Sequence, residues 1–192
     1  LSKSLAGMPG PALKDWKLDE ILPTLGERAA KFITESAAKA EPFLLFLPLT
    51  APHTPHAVSD AWKNTSGLNT YADYVMETDA TVARVLDALE KSGAADHTLV
   101  IFTSDNGCAP HGAELVAKRH YPSGPLRGYK SDACEGGHRI PFIVRWPGVV
   151  KPGSVSGLLV SQVDWFATFA EILGATITST AAKDRLSLLG HV

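Results

Sequence analysis

The chain has 192 residues, 45% of them hydrophobic and 20% charged, enough apolar material for one substantial core and not the composition of a disordered polypeptide. A formal net charge of −2 and a sequence pI near 6.4 give no electrostatic basis for nucleic acid or an anionic membrane as partner, so any anion must be bound locally. Two cysteines, Cys108 and Cys134, make neither a disulfide framework nor a zinc pattern, and no apolar run approaches the ~20 residues that span a bilayer.

Residues 1–23 carry Gly7, Pro9, Gly10, Pro11 and Pro23 among scattered apolar positions and read as loop or linker. Thr24 with Glu27 forms a capping-box signature. Leu25, Ala29, Phe32, Ile33 and Ala37 then recur at helical spacing, which predicts a helix to about Lys39. Pro42 to Thr50 is a continuous apolar run short enough for a buried strand, ending at Ala51-Pro-His-Thr-Pro-His56. Thr70 with Asp73 caps a second helix with Tyr71, Tyr74, Val75, Thr78, Val82, Val85, Leu86 and Leu89 on its apolar face and Gly93 as the residue that stops it. Thr98 to Ser104 is the next strand, its consecutive apolar residues suited to burial on both faces, and the order helix, strand, helix, strand favours a parallel α/β sheet. Gly107 to Gly137 is longer than a mere connection. Ile140 to Trp146 follows as a strand, Gly157 to Ser161 as a short one, and Ser161 with Asp164 opens a helix carrying Trp165, Phe166, Phe169, Ile172 and Leu173 to Gly174. The tail from Thr176 has weak periodicity.

Candidate chemistry gathers at the predicted strand ends and in the long loop. Asp105 and Asn106 follow a strand at the position where α/β sheets bind ligands. Their carboxylate and amide oxygens suit a hard cation such as calcium or magnesium, but calcium takes about six to eight oxygens, and Ser-Asp-Asn-Gly is also a turn signal. His53, between Pro52 and Pro55, is either an ordinary surface histidine or an imidazole held steady as a proton donor. Lys130 offers a compact positive charge for sulfate or phosphate oxygens, or is one more solvated lysine. Gly136-Gly137 suggests close backbone approach, and Glu135 with Arg139 a structural ion pair. The sequence holds no dinucleotide fingerprint, phosphate loop or nucleophile elbow.

Taken in order, Ala51-Pro-His-Thr-Pro55, Thr98-Leu-Val-Ile-Phe-Thr-Ser-Asp-Asn-Gly107, Leu126-Arg-Gly-Tyr-Lys130, Glu135-Gly-Gly-His-Arg-Ile-Pro141 and Arg145-Trp-Pro-Gly148 resemble the sulfatase family of the alkaline-phosphatase-like superfamily. The resemblance covers roughly Pro42 to Ala175 and implies a mostly parallel sheet flanked by helices, present here incompletely. On this reading residues 24–175 are part of the α/β core of one sulfatase catalytic domain and 176–192 its truncated tail. It implies a sulfuric ester hydrolase in which Asp105 and Asn106 are calcium ligands (magnesium being the lesser candidate), His53 contacts the sulfate ester, and Lys130 binds sulfate oxygens and the leaving-group side. His56, His111 and His138 match no assigned role. The family's nucleophile is a formylglycine made from a Cys/Ser-x-Pro-x-Arg motif. Cys108-Ala-Pro-His-Gly112 has glycine where arginine is required.

The motif, the first calcium pair and a Lys-x-His motif are therefore expected in an N-terminal part beyond Leu1, with a C-terminal part missing as well, and this chain alone is expected to be inactive. The implied partner is a sulfate ester. The implied location is periplasmic, secreted or lysosomal. A metal-dependent phosphoesterase of the same superfamily and a degenerate, non-catalytic binding module are the alternatives.

Overall fold

The computed structural model describes residues 13–39, 41–178, 180–181 and 183–191. The expected loop glycines and prolines from Gly7 to Pro11 lie outside the described residues. The chain divides into two compact units, Leu1–Ile143 and Val144–Val192.

In the first unit a 3-10 turn at Leu18–Glu20 leads into α1, Ile21–Ala37. The helix thus begins inside the stretch expected to be loop and ahead of the Thr24 capping box. Pro23 is no obstacle, because it occupies the first turn, where a backbone N–H has no helical partner. Helix α2 spans Thr70–Lys91, and its cap is Asn69, one residue before the expected Thr70: the Asn69 side chain accepts from the Ala72 amide at 2.9 Å. Asp73 caps the preceding loop instead, accepting from the Asn64 amide and the Ser66 amide, each at 2.8 Å. At the other end Gly93 has φ +73°, with Gly93 N–H donating to Glu90 at 3.1 Å and Ala94 N–H to Leu89 at 3.1 Å, the paired bonds of a Schellman stop.

The two helices pack on each other and share two apolar clusters. Ile33, Ala88, Leu89 and Ala95 form one, with Phe43, Leu45 and Val100 against it; Leu22, Val58 and Tyr74 form the other, with Leu49, Ala51 and Trp62. Gly26 permits the close approach, since a Cβ there would lie 3.0 Å from the Thr81 methyl. The buried stripe of α2 includes Glu77 and Thr81, which an apolar pattern does not mark. The Glu77 carboxylate accepts from the Ser59 amide at 3.0 Å, tying the 59–66 loop to the helix together with Asp73.

Strand β1, Val100–Thr103, and strand β2, Phe142–Arg145, pair in a two-stranded sheet, and the boundary between the units falls within β2. The run from Pro42 to Thr50 is extended but not a hydrogen-bonded strand. Its burial alternates: Phe43, Leu45, Leu47 and Leu49 are half-buried, whereas Leu44 and Phe46 are 74% and 83% exposed. Phe102 of β1 is likewise exposed, so both segments are covered on one face by α1 and α2, where the Thr98–Ser104 strand was expected to be covered on both.

In the second unit, residues 157–161 are extended without strand pairing, and α4 spans Asp164–Ile172, three residues after the expected start at Ser161. The buried Asp164 carboxylate accepts from the Ser161 amide and the Leu186 amide, each at 2.8 Å. The Thr168 hydroxyl accepts from the Leu188 amide at 2.9 Å, which fixes the weakly patterned tail onto α4. Gly174, with φ +65°, ends the helix as Gly93 ends α2.

Candidate functional site

Beyond β1 the chain turns through Ser104, Asp105, Asn106 and Gly107. The Ser104 hydroxyl donates to the Asn106 carbonyl at 2.9 Å, and the Asn106 amide nitrogen donates to the Gly107 carbonyl at 3.0 Å. Committing that nitrogen leaves the Asn106 amide oxygen as an acceptor, beside the exposed Asp105 carboxylate. Both groups are oxygen donors of the kind a hard cation takes. Among the described residues they belong to no group of three or more His, Cys, Asp or Glu able to hold a metal.

The long loop folds back onto this turn through glycines. Gly107 N–H donates to Gly137 at 2.9 Å, and Gly136 N–H to Arg127 at 2.8 Å. A Cβ at Gly107 would lie 2.0 Å from the Gly136 carbonyl oxygen, one at Gly136 2.2 Å from the Gly128 oxygen, and one at Gly137 2.2 Å from the Asp132 oxygen. Backbone therefore packs directly on backbone where any side chain would separate the segments. The result is that Lys130 N–H donates to the Cys108 carbonyl at 2.8 Å, which brings Lys130 to the loop that carries Asp105 and Asn106. Among the described residues no carboxylate forms an ion pair with Lys130, whereas Arg139 and Glu135 on α3, Glu135–His138, pair at 2.7 Å as expected.

His53 lies in a turn with cis peptides at both Ala51-Pro52 and Thr54-Pro55. Its Nδ1 is 2.7 Å from the Thr54 carbonyl. A carbonyl can only accept, so Nδ1 carries the proton and Nε2 is the nitrogen left for other chemistry on an exposed side chain.

Three further residues, which the motifs did not assign, join the His53 turn to the Asp105 loop. His56 lies between Tyr71 and His111, with ring centroids at 5.5 and 5.3 Å. Burial pushes its pKa down, and the neighbouring His111 and His53 push it the same way. Its Nε2 is buried without a hydrogen-bond partner among the described residues. The Tyr71 hydroxyl is 3.2 Å from Cys108 Sγ, and its pKa is raised by burial and then by that bond. Repetition of histidine three residues after His53 is the one sequence signal that pointed here. His138, exposed at the end of α3, is not drawn into this group.

The profile of the family described as Sulfatase matches residues 19–175. The chain is 37% identical over 174 residues to the N-acetylgalactosamine-6-O-sulfatase of Bacteroides thetaiotaomicron, covering 88% of this chain and 34% of that protein. It is 38% identical over 173 residues to the steryl-sulfatase of Rattus norvegicus, covering 88% of this chain and 30% of that one. A structure solved in work on glycosaminoglycan metabolism by Bacteroides thetaiotaomicron superimposes with a TM-score of 0.83 at 35% identity, over 92% of this chain and 38% of its own. The chain thus spans about a third of the length of the curated relatives it matches.

Proposed function

The chain belongs to the sulfatase family, and from that premise we propose that the protein carrying it hydrolyses sulfate esters, this chain supplying the sulfate-binding half of the site. The observation that carries the reading is the bond from Lys130 N–H to the Cys108 carbonyl, two residues beyond Asn106. It ties the Lys130 backbone to the loop that carries Asp105 and Asn106, and a lysine ammonium together with oxygen ligands for a cation is the set of groups that the outward oxygens of a sulfate ester call for.

In this reading Lys130 binds the sulfate oxygens as a point charge. His53 offers Nε2 to the ester, donating when protonated and accepting when neutral. Asp105 and the Asn106 amide oxygen would hold a calcium ion, which would supply positive charge opposite the sulfate oxygens. Tyr71, Tyr74 and His111 pack around the His56 imidazole, three residues after His53.

The nucleophile, a formylglycine, is supplied by a segment that this chain does not contain. Cys108 is not that residue: Gly112 stands at the arginine position, and its Sγ is engaged by Tyr71. The isolated chain is accordingly inactive. A sugar 6-sulfatase and a steryl-sulfatase match this chain almost equally, and the proposal leaves the choice of the alcohol portion of the ester to other parts of the protein. The proposal includes a periplasmic, secreted or lysosomal location.

The test is hydrolysis of p-nitrophenyl sulfate and p-nitrophenyl phosphate by the complete polypeptide, with calcium and after chelation. Turnover of the sulfate ester that falls on chelation and returns with calcium supports the reading. Turnover of the phosphate ester alone replaces it with phosphoesterase chemistry, and turnover of neither leaves a binding module. Lys130→Ala and Asp105→Ala should each lower kcat/KM on the sulfate ester by about 100-fold or more, the scale of losing one charge-stabilising group.

A further inference from the structure

We propose that Tyr71 is a positioning residue that sets the spacing between His53 and Lys130; this rests on the reading of those two residues as the sulfate-binding pair. Tyr71 lies in the first turn of α2, which is held by the Asn69 cap and by Asp73 gripping the 64–66 loop, so its side chain projects from fixed backbone. Its two ends then reach the two halves of the site.

The hydroxyl end meets Cys108. The Cys108 thiol donates to the Ala109 carbonyl at 3.3 Å, which uses its one proton, so the Tyr71 O–H is the donor across the 3.2 Å to Sγ. Cys108 has little freedom to leave: a Cβ at Gly112 would already be 2.6 Å from Sγ, so the 3-10 turn Pro110–Lys118 closes that side. The carbonyl of the same Cys108 receives the Lys130 amide at 2.8 Å. One residue therefore passes the position of α2 to Lys130, by a side-chain bond on one side and a backbone bond on the other.

The ring of Tyr71 meets His56, three residues after His53, at a centroid distance of 5.5 Å. His56 Nε2 has no hydrogen-bond partner among the described residues, so ring packing against Tyr71, Tyr74 and His111 fixes the imidazole on that side of the ring. The His53 turn is thereby seated on the same side chain that holds Lys130. A tyrosine with only a packing role would cost stability on loss of its hydroxyl but would leave Lys130 where it is.

The test uses the complete enzyme and four variants: Tyr71→Phe, Cys108→Ala, the double variant and Cys108→Ser. Misplacement on the ångström scale costs up to about 100-fold, so Tyr71→Phe and Cys108→Ala should each lower kcat/KM on p-nitrophenyl sulfate by about 10-fold, chiefly through KM. The double variant should be no worse than either single one, because both cut the same link. Cys108→Ser, which keeps an acceptor for Tyr71, should recover most of the loss. Amide hydrogen exchange at Lys130 should quicken in Tyr71→Phe and Cys108→Ala. The proposal is overturned if Lys130 exchanges at the wild-type rate in Tyr71→Phe, or if the two losses multiply in the double variant. If the wild-type enzyme cleaves no sulfate ester while Lys130 exchange still responds to Tyr71→Phe, the mechanical link stands and the sulfatase reading falls.

Discussion

Replacing Gly107 by alanine tests the claim that bare backbone contact holds the site together. The added Cβ would lie 2.0 Å from the Gly136 oxygen, 2.9 Å from its carbonyl carbon and 3.0 Å from the Gly137 carbonyl carbon. Real contacts of this kind do not fall below 3.0 Å, so the two segments must part by about 1 Å. That movement stretches the 2.9 Å bond from Gly107 N–H to Gly137 beyond hydrogen-bond range. Overpacking of about 1–3 kcal/mol and a lost bond worth ~1 kcal/mol together predict destabilisation of about 2–4 kcal/mol. Asn106 is the adjacent residue and moves with the strand end, so kcat/KM on a sulfate ester should fall by about 100-fold. Gly157→Ala is the control, since nothing lies within 4 Å of its Cβ position. Urea unfolding midpoints and steady-state kinetics of the complete enzyme measure both effects. A Gly107→Ala protein with the midpoint and kinetics of Gly157→Ala would refute the reasoning.

Three further outcomes follow from the same geometry. Burial raises the pKa of Asp73, but hydrogen bonds from Ser66 and Asn64 outweigh it and hold the carboxyl below the usual range. Its contribution to stability is therefore complete above the unfolded value of ~3.9 and is lost as pH falls through the folded value, so Asp73→Asn should weaken the protein at pH 7 and flatten unfolding midpoints measured below about pH 4. His56, lowered by burial and by His111 and His53 against an opposing pull from Glu114, takes up a proton less readily when folded. Stability should fall as pH drops below the unfolded value of ~6.5 toward 5, and a His56→Phe variant should show a shallower fall in thermal midpoint over that range. Gly93→Ala places a side chain at φ +73° and should cost about 1 kcal/mol in urea titration with no change in KM.

The helices were legible because periodicity and stop signals are local. Gly93 and Gly174 both end their helices as their positions implied. Cap positions were less so: Asn69 and Thr70 are both good caps, and only the turn geometry chose between them. The buried face of α2 was partly hidden because Asp73, Glu77 and Thr81 are polar and are buried only through bonds to a loop that approaches from elsewhere. The Thr98–Ser104 run was expected to be covered on both faces and Pro42–Thr50 to be a buried strand, but unbroken apolar sequence does not reveal how many layers pack against it; Leu44, Phe46 and Phe102 face outward here. In the candidate site, His53, Asp105 and Asn106 were readable as motifs at predicted strand ends and Lys130 as one in the long loop. The bond from Tyr71 to Cys108 joins residues 37 apart, one on α2 and one in the loop after β1, and no spacing rule encodes such a meeting.

The bonds between α4 and the tail bear on where a folding unit ends. The family profile stops at residue 175, yet Asp164 and Thr168 draw backbone donors from Leu186 and Leu188. A polypeptide cut at the profile boundary would leave Asp164 Oδ1 without its Leu186 donor and the Thr168 hydroxyl without its Leu188 donor. Each deficit costs about 1–3 kcal/mol for an unsatisfied buried group, more for a charged one. Similarity marks what relatives share in sequence; hydrogen bonding extends the smallest intact piece around α4 through Leu188, and a truncation series read by proteolytic resistance should break between those two limits.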